Sequence, residues 1–114
     1  MAPTMFGYMR FAVAVDGKDE NEAIKRELAA QARREGFTLE QLFIERLRAD
    51  EESAFSALTD ALKSTEVRHV IVPSLWHFAR SPGLQAAMRA HLETELGAKL
   101  RVVQGSSVQQ RSAS

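Results

Sequence analysis

The stretch that most constrains the fold of this chain is residues 5–15, which are almost continuously apolar. Aromatic and β-branched side chains dominate it, and it breaks at Asp16 and Gly17. It is far shorter than the roughly 20 apolar residues that span a bilayer, and its composition favours a strand. A strand that is apolar on both faces is typical of the centre of a parallel sheet, whose strands are joined by helical crossovers. We therefore predict an α/β fold built around a buried first strand.

The segment that follows has the pattern of an amphipathic helix over residues 19–35. Ile24, Leu28 and Ala32 recur every four residues along one side, with charged residues between them. Gly36 is suited to end this helix, because glycine adopts the left-handed conformation that terminates many helices. The apolar stripe predicts that the helix packs against the sheet.

The rest of the chain continues the alternation of extended and helical patterns. The remaining predicted elements are a strand over residues 39–45, a helix over 53–64, a strand over 67–73, a helix over 81–96 and a strand over 99–103. Ser53 and the Ser81–Pro82 pair are suited to begin the two helices, and Gly97 to end the second. The side chains predicted to face the core from these helices are Phe55, Leu58, Leu62, Leu84, Met88 and either Leu92 or His91. This order predicts a three-layer α/β domain over residues 1–104, with a mostly parallel sheet of four or five strands and helices on both faces.

Composition excludes several classes of protein. The chain has 114 residues, no cysteine, and 15 basic residues balanced by 15 acidic ones. The length fits one domain, and the lack of cysteine excludes disulfides and thiolate chemistry. A free-standing DNA-binding domain usually has a basic excess, which is missing here overall. Without a signal peptide or an apolar span, we expect a soluble cytoplasmic protein with no membrane partner. Residues 105–114 are small and polar, and we expect a disordered tail there.

Two short motifs resemble the active-site signatures of the serine recombinases, the resolvase and invertase family. Residues 7–12 contain Gly7, Tyr8 and Arg10 of the first signature, and residues 75–81 resemble the last one. The end of the second strand, which includes the acidic Glu45, and the start of the second helix also resemble the corresponding segments of the family. The resemblance covers about residues 6–103. It implies the α/β fold of a recombinase catalytic domain, with its active site at the carboxyl ends of the strands.

The residues that this resemblance implies for catalysis are mostly replaced. Ala12 occupies the position of the nucleophilic serine, and Ser53 that of a catalytic arginine. In the last signature Trp76 replaces an aspartate and His77 the first arginine. Arg10 and Arg80 are retained and are candidates for a phosphate or other anion site. A histidine with an ordinary pKa would be charged only below about pH 6.5 and lacks the guanidinium fork.

These replacements predict a catalytically inactive, recombinase-like domain. An alanine methyl cannot attack a phosphodiester, and phosphoryl transfer depends on cations that stabilise the developing negative charge. The resemblance also implies a dimerisation helix and a separate DNA-binding domain after this one, and neither pattern follows here. We expect a pseudoenzyme that binds a protein partner or its own copy. The alternatives are a DNA-associated regulator with weak phosphate binding, or a genuine recombination protein whose cleavage depends on a partner.

The residues alone leave two interpretations for each of three side chains. Arg10, isolated in an apolar strand, either forms a structural ion pair with Glu45 or shares an anion site with Arg80. Trp76 and Phe78 either form an exposed interface or fill the space of the lost arginines.

Metal, cofactor and hydrolase sites are not expected. His69, His77 and His91 match no standard metal-ligand spacing, and no glycine-rich phosphate loop is present. His69 is interpreted as a strand residue and His91 as a helix-face residue. Ser74, Ser81, His77 and Asp16 do not form a convincing hydrolase triad, since Ser81 is better explained as a helix cap.

Overall fold

A computed structural model describes residues 3–11, 20–46 and 53–103 of the chain. Ala12, the break at Asp16 and Gly17, most of the charged segment 46–52 and the tail 105–114 lie outside the described residues. Within the described part, strands and helices alternate as predicted.

The sheet consists of four parallel strands in the order β2-β1-β3-β4. The strands are β1 (Thr4–Arg10), β2 (Thr38–Glu45), β3 (His69–Val72) and β4 (Lys99–Val102). The first strand is therefore central, as its apolar composition predicts, and residues 5–9 are all buried. Phe11 departs from the prediction of a continuous buried strand, because β1 ends at Arg10 and the Phe11 ring is 38% exposed.

Three helices cover the two faces of the sheet: α1 (Glu20–Arg34), α2 (Ala54–Ser64) and α3 (Pro82–Ala90). A π-helical turn, His91–Glu95, extends α3 towards β4. A short 3-10 turn, Leu75–His77, follows β3. No helix in the described ranges is both long enough and apolar enough to cross a membrane.

The side chains of β1 alternate between two hydrophobic cores, as strand geometry requires. Met5 and Met9 pack with Leu28 and Ala32 of α1 on one face. On the other face the core is larger and aromatic, and it joins α2 to the helix that precedes β4. Its fully buried members include Phe6, Tyr8, Leu58, Leu62, Phe78 and Leu92. The three-layer prediction is thereby confirmed, with four strands.

The helix ends follow the predicted capping chemistry. The Ser53 hydroxyl accepts from the amides of Phe55 and Ser56, and the Ser81 hydroxyl accepts from the amide of Leu84. Gly97 has a φ of 67°, in the left-handed region that glycine adopts at little cost. These local signals place α2 within one residue of its predicted bounds, and α3 reaches its predicted end to within one residue when the π-helical turn is included.

One predicted core position of α3 is wrong. Leu84 is 54% exposed, whereas Gln85 is buried and donates from Nε2 to the carbonyl oxygen of Ala79 at 2.8 Å. The inward face thus runs through Gln85, Met88 and Leu92, spaced three and four residues apart. A strict four-residue repeat drifts around a helix of 3.6 residues per turn, and the π-helical turn shifts the phase again.

Candidate functional site

The parallel strands bring the recombinase-like positions to one edge of the sheet. Arg10 and Glu45 are the last residues of β1 and β2 and pair in register, while residues 74–81 continue from β3. Ligands of open α/β sheets usually bind beyond the carboxyl ends of the strands. We call this region, with Ser53 at the start of α2, the carboxyl-edge site.

Glu45 is the centre of a buried hydrogen-bond network rather than the ion-pair partner of Arg10. Its Oε1 accepts from the Tyr8 hydroxyl at 3.3 Å, the Ser53 hydroxyl at 3.1 Å and the Phe55 amide at 3.4 Å. No ion pair joins it to Arg10 in the part of the chain that the structure describes. The amino end of α2 stabilises this carboxylate, because unpaired helix amides carry partial positive charge. Burial, reinforced by Glu45, raises the pKa of Tyr8 above its ordinary value.

Ser53 occupies the position implied for a catalytic arginine, and its hydroxyl has a structural role there. The oxygen accepts from the Phe55 and Ser56 amides at 3.1 and 3.3 Å while the hydroxyl proton goes to Glu45. A serine in this arrangement caps the helix and completes the carboxylate network. It brings no positive charge to the carboxyl-edge site.

His77 accepts a hydrogen bond from the backbone of the first strand. Its Nδ1 lies 2.9 Å from the amide nitrogen of Arg10, so this ring nitrogen carries no proton in the folded chain. Burial, with a further contribution from the Arg10 charge, lowers the pKa of His77 to about 4. The expectation of a charge below about pH 6.5 is therefore wrong, and the ring is neutral at physiological pH.

The two retained arginines have different surroundings. The Arg10 guanidinium donates from Nη2 to the carbonyl oxygen of Phe78 at 3.1 Å. Arg80 is exposed, and its Cζ lies 5.9 Å from the centroid of the Trp76 ring, a cation–π distance. The contacts of the described residues do not join Arg10 to Arg80, so the shared anion site stays a prediction.

The two aromatic residues beside His77 have opposite environments. Trp76 is 55% exposed, which favours the interface interpretation over packing. Phe78 is 2% exposed and packs against Tyr8 and Phe55, with ring centroids 5.4 and 5.9 Å apart. The prediction of Phe78 as an interface residue is wrong, because its ring belongs to the aromatic core.

A second exposed aromatic at this edge was not found from the sequence. The guanidinium of Arg46 lies over the Phe11 ring, 4.5 Å from its centroid. The register that pairs Arg10 with Glu45 places the following residues of both strands side by side, and the Phe11 amide donates to the Glu45 carbonyl oxygen at 2.8 Å. Its signal in the sequence is Arg46, the arginine directly after β2.

The histidines have the local roles predicted for them. His69 lies in β3 with its ring 4.6 Å from that of Phe37, and burial together with Lys99 and Arg101 lowers its pKa. His91 Nδ1 lies 3.0 Å from Glu95 Oε2. No group of three metal-ligating side chains occurs among the residues in the described ranges.

Comparison with solved structures identifies the class of fold to which this arrangement belongs. The chain is similar to the C-terminal catalytic domain of ISC1926 TnpA, an IS607-like serine recombinase, with a TM-score of 0.69 and 18% identity over 96% of this chain and 77% of that one. It is similar to the N-terminal catalytic domain of TP901-1 integrase, with a TM-score of 0.69 and 16% identity over 89% and 77%. It is also similar to a resolvase family site-specific recombinase from Streptococcus pneumoniae. The TM-score is 0.70, with 19% identity over 90% of this chain and 72% of that one.

These likenesses confirm the predicted resemblance at the level of the fold. The chain folds as a serine recombinase catalytic domain, although fewer than one residue in five is identical. No family model and no curated protein matches the sequence.

Proposed function

We propose that this chain is a catalytically inactive domain of recombinase fold that binds a protein partner through the carboxyl-edge site. The observation that carries the proposal is the hydrogen bond from the Arg10 amide to His77 Nδ1, with Ser53 capping α2. At two positions where the resemblance implies arginines, neutral side chains satisfy backbone amides instead. Each is integrated into the fold and contributes no positive charge.

The chemistry of strand cleavage argues against an enzyme. A recombinase needs a nucleophilic oxygen and several cations around the scissile phosphate, since the transition state concentrates negative charge there. Ala12 has no oxygen to offer. Of the retained cations, Arg10 donates to the Phe78 carbonyl oxygen and Arg80 lies over Trp76. Removing one stabilising donor typically costs about a hundredfold or more in rate.

Trp76 supports a protein contact. Tryptophan and arginine are enriched among the residues that dominate binding energy at protein interfaces. Here a half-exposed tryptophan and an exposed arginine lie within cation–π distance of each other, on a turn fixed to β1 by the Arg10–His77 hydrogen bond. A rigid, exposed anchor of this kind loses little conformational entropy on binding.

A second candidate is a DNA-associated regulator that retains weak phosphate binding. Arg46 and Arg80 support it, because both guanidiniums are exposed at the carboxyl-edge site. A phosphate titration followed by NMR, with shifts expected at Arg80 and Arg10, would support this candidate. The wild-type net charge of zero disfavours it.

Incubation with supercoiled plasmid at several salt concentrations tests the proposal. We expect neither nicking nor a mobility shift; nicking would refute the inactive assignment, and a salt-sensitive shift would favour the DNA-associated regulator. Light scattering of the eluting protein then tests self-association as the simplest protein contact. Trp76→Ala is expected to weaken any dimer at least tenfold, and Leu84→Ala, which removes a side chain of similar exposure on α3, is the matched control.

A further inference from the structure

A pocket of about 290 Å³ lies between α1 and the carboxyl ends of β3 and β4. Its aliphatic wall is formed by Ile24, Leu28, Pro73 and Val103. Ala23, Glu27, Ser74 and His77 complete the described lining. The volume is close to the lower limit of about 300 Å³ for small-molecule sites, so the pocket suits a small ligand. The combination of an apolar wall with a few polar groups is also typical of such sites.

The described lining of the pocket carries a negative charge. Glu27 is the only lining residue among those described that carries a formal charge at neutral pH. His77 is neutral there, because its Nδ1 accepts from the Arg10 amide and the ring proton lies on Nε2. Among the described lining residues, His77 and Ser74 thus each carry one hydrogen-bond donor, Nε2–H and the hydroxyl, and Glu27 is the anionic acceptor.

Glu27 is held only weakly by its own neighbour. Its Oε1 lies 3.4 Å from Nη2 of Arg34, and both side chains are about half exposed, at 47% and 59%. Exposed ion pairs of this length stabilise by little, so a competing cation can replace Arg34 at small cost. The carboxylate can thus serve a ligand without breaking a buried contact.

We propose that this pocket binds a small organic cation, with the apolar body of the ligand against the aliphatic wall and its charged end at Glu27. An aromatic amidine or a short arylalkylamine has this chemistry. We expect a carboxylate of the same size to bind more weakly, because it would face the like charge of Glu27. Ser74 and His77 belong to both the pocket and the carboxyl-edge site, but the inference does not depend on the proposed protein contact, because the pocket does not include Trp76.

The affinity of a fragment probe follows from its size. Benzamidine, benzamide and benzoate have about nine non-hydrogen atoms each and differ mainly in charge, and ligands of this size bind with dissociation constants on the order of 1 mM. Titration of ¹⁵N-labelled protein at pH 7 with each probe gives the affinity from the amide shifts of Ala23, Ser74 and Val103. We expect benzamidine to bind about fivefold more tightly than benzamide. Benzoate should produce no saturable shift.

Variants on α1 separate the charge from the cavity. Glu27→Gln should lower the affinity for benzamidine to that for benzamide, and Glu22→Gln is the matched control, because Glu22 pairs with Lys25 and does not line the pocket. Arg34→Gln should strengthen benzamidine binding by freeing the carboxylate. Ala23→Phe should abolish binding of all probes; Ala23 is exposed, so the substitution leaves the core intact.

Three results would overturn the inference. These are an absence of benzamidine shifts at about twenty times the expected dissociation constant, equal binding of benzoate, and benzamidine affinity that is unchanged by Glu27→Gln. A failure here would leave the plasmid and light-scattering results untouched, because those assays do not involve Glu27.

Discussion

Acidification should destabilise this domain through His77, before its carboxylates are protonated. In the folded chain the ring accepts from the Arg10 amide and its pKa is lowered to about 4, whereas the unfolded chain has the ordinary value of 6.5. Well above pH 6.5 neither state is protonated to a significant extent, so this contribution to stability is fully present. As the pH falls from 6.5 to 4, only the unfolded state binds the proton, and stability is lost until the folded pKa is reached.

The size of the effect follows from the two pKa values. At pH 5 the linkage amounts to about 2 kcal/mol, and since part of the ring is exposed we expect about 1 to 2 kcal/mol. The physical reason is specific: a proton on Nδ1 removes the acceptor of the Arg10 amide and places a second positive charge beside the guanidinium. For a domain of this size, 1 kcal/mol corresponds to a shift in melting temperature of roughly 4 to 8 °C.

Urea unfolding between pH 5 and 7.5, followed by circular dichroism, measures this loss. His77→Asn is the informative variant, because the amide oxygen can accept from the Arg10 amide but does not titrate. Its stability should depend less on pH than that of the wild type, by about 1 to 2 kcal/mol across this range. His69 also has a lowered pKa and contributes equally to both proteins, so it cancels in the difference.

His91→Asn is the control, since His91 lies on the surface and pairs with Glu95. The reasoning would be refuted by identical slopes for His77→Asn and the wild type, or by an NMR titration that places the pKa of His77 at 6.5 or above.

Three further predictions concern caps, backbone conformation and catalysis. Ser53→Ala should lower the free energy of unfolding by about 1 to 2 kcal/mol in a denaturant titration, because it removes the cap of α2 and a hydrogen bond to buried Glu45; an unchanged midpoint would contradict the network. Gly97→Ala should cost about 1 kcal/mol at its φ of 67°, measured by thermal unfolding, with Gly83→Ala, which has open space and no positive φ, expected to be neutral or stabilising. Ala12→Ser should yield no covalent adduct with supercoiled plasmid on a denaturing gel, because Ser53 and His77 still provide no cations; an adduct would show that the nucleophile alone suffices.

The fold could be predicted from the sequence because its signals are local and repeated. The apolar run before Asp16 indicates a central strand, and Ser53, Ser81 and Gly97 mark helix ends whatever lies across the sheet. The predicted phase of α3 is wrong only in its first turn, because 3.6 residues per turn place Gln85, and not Leu84, on the side of Met88 and Leu92. A four-residue repeat therefore selected Leu84 where the structure buries Gln85.

The contacts of the carboxyl-edge site depend on which groups compete successfully for the Glu45 carboxylate, and the sequence alone does not show this. Register places Arg10 opposite Glu45, and charge alone favours an ion pair. Tyr8, Ser53 and the amino end of α2 reach the same carboxylate from the core and satisfy it there. Trp76 and Phe78 are two residues apart on either side of His77, where the 3-10 turn follows β3. The Trp76 ring therefore faces solvent and the Phe78 ring faces the core.

The replacements at Ser53 and His77 support each other, and together they make a return to catalysis difficult. An arginine at position 53 would remove the cap of α2 and the hydroxyl that donates to Glu45. An arginine at position 77 would remove the acceptor of the Arg10 amide and add a charge beside a guanidinium that already donates to Phe78. Each substitution towards a cationic site therefore lowers the stability of the fold. It does not by itself restore strand cleavage, because cleavage also requires a nucleophilic oxygen at position 12. A side chain at position 53 or 77 can either accept hydrogen bonds from backbone amides or bring a positive charge to the site. In this structure Ser53 and His77 accept from backbone amides.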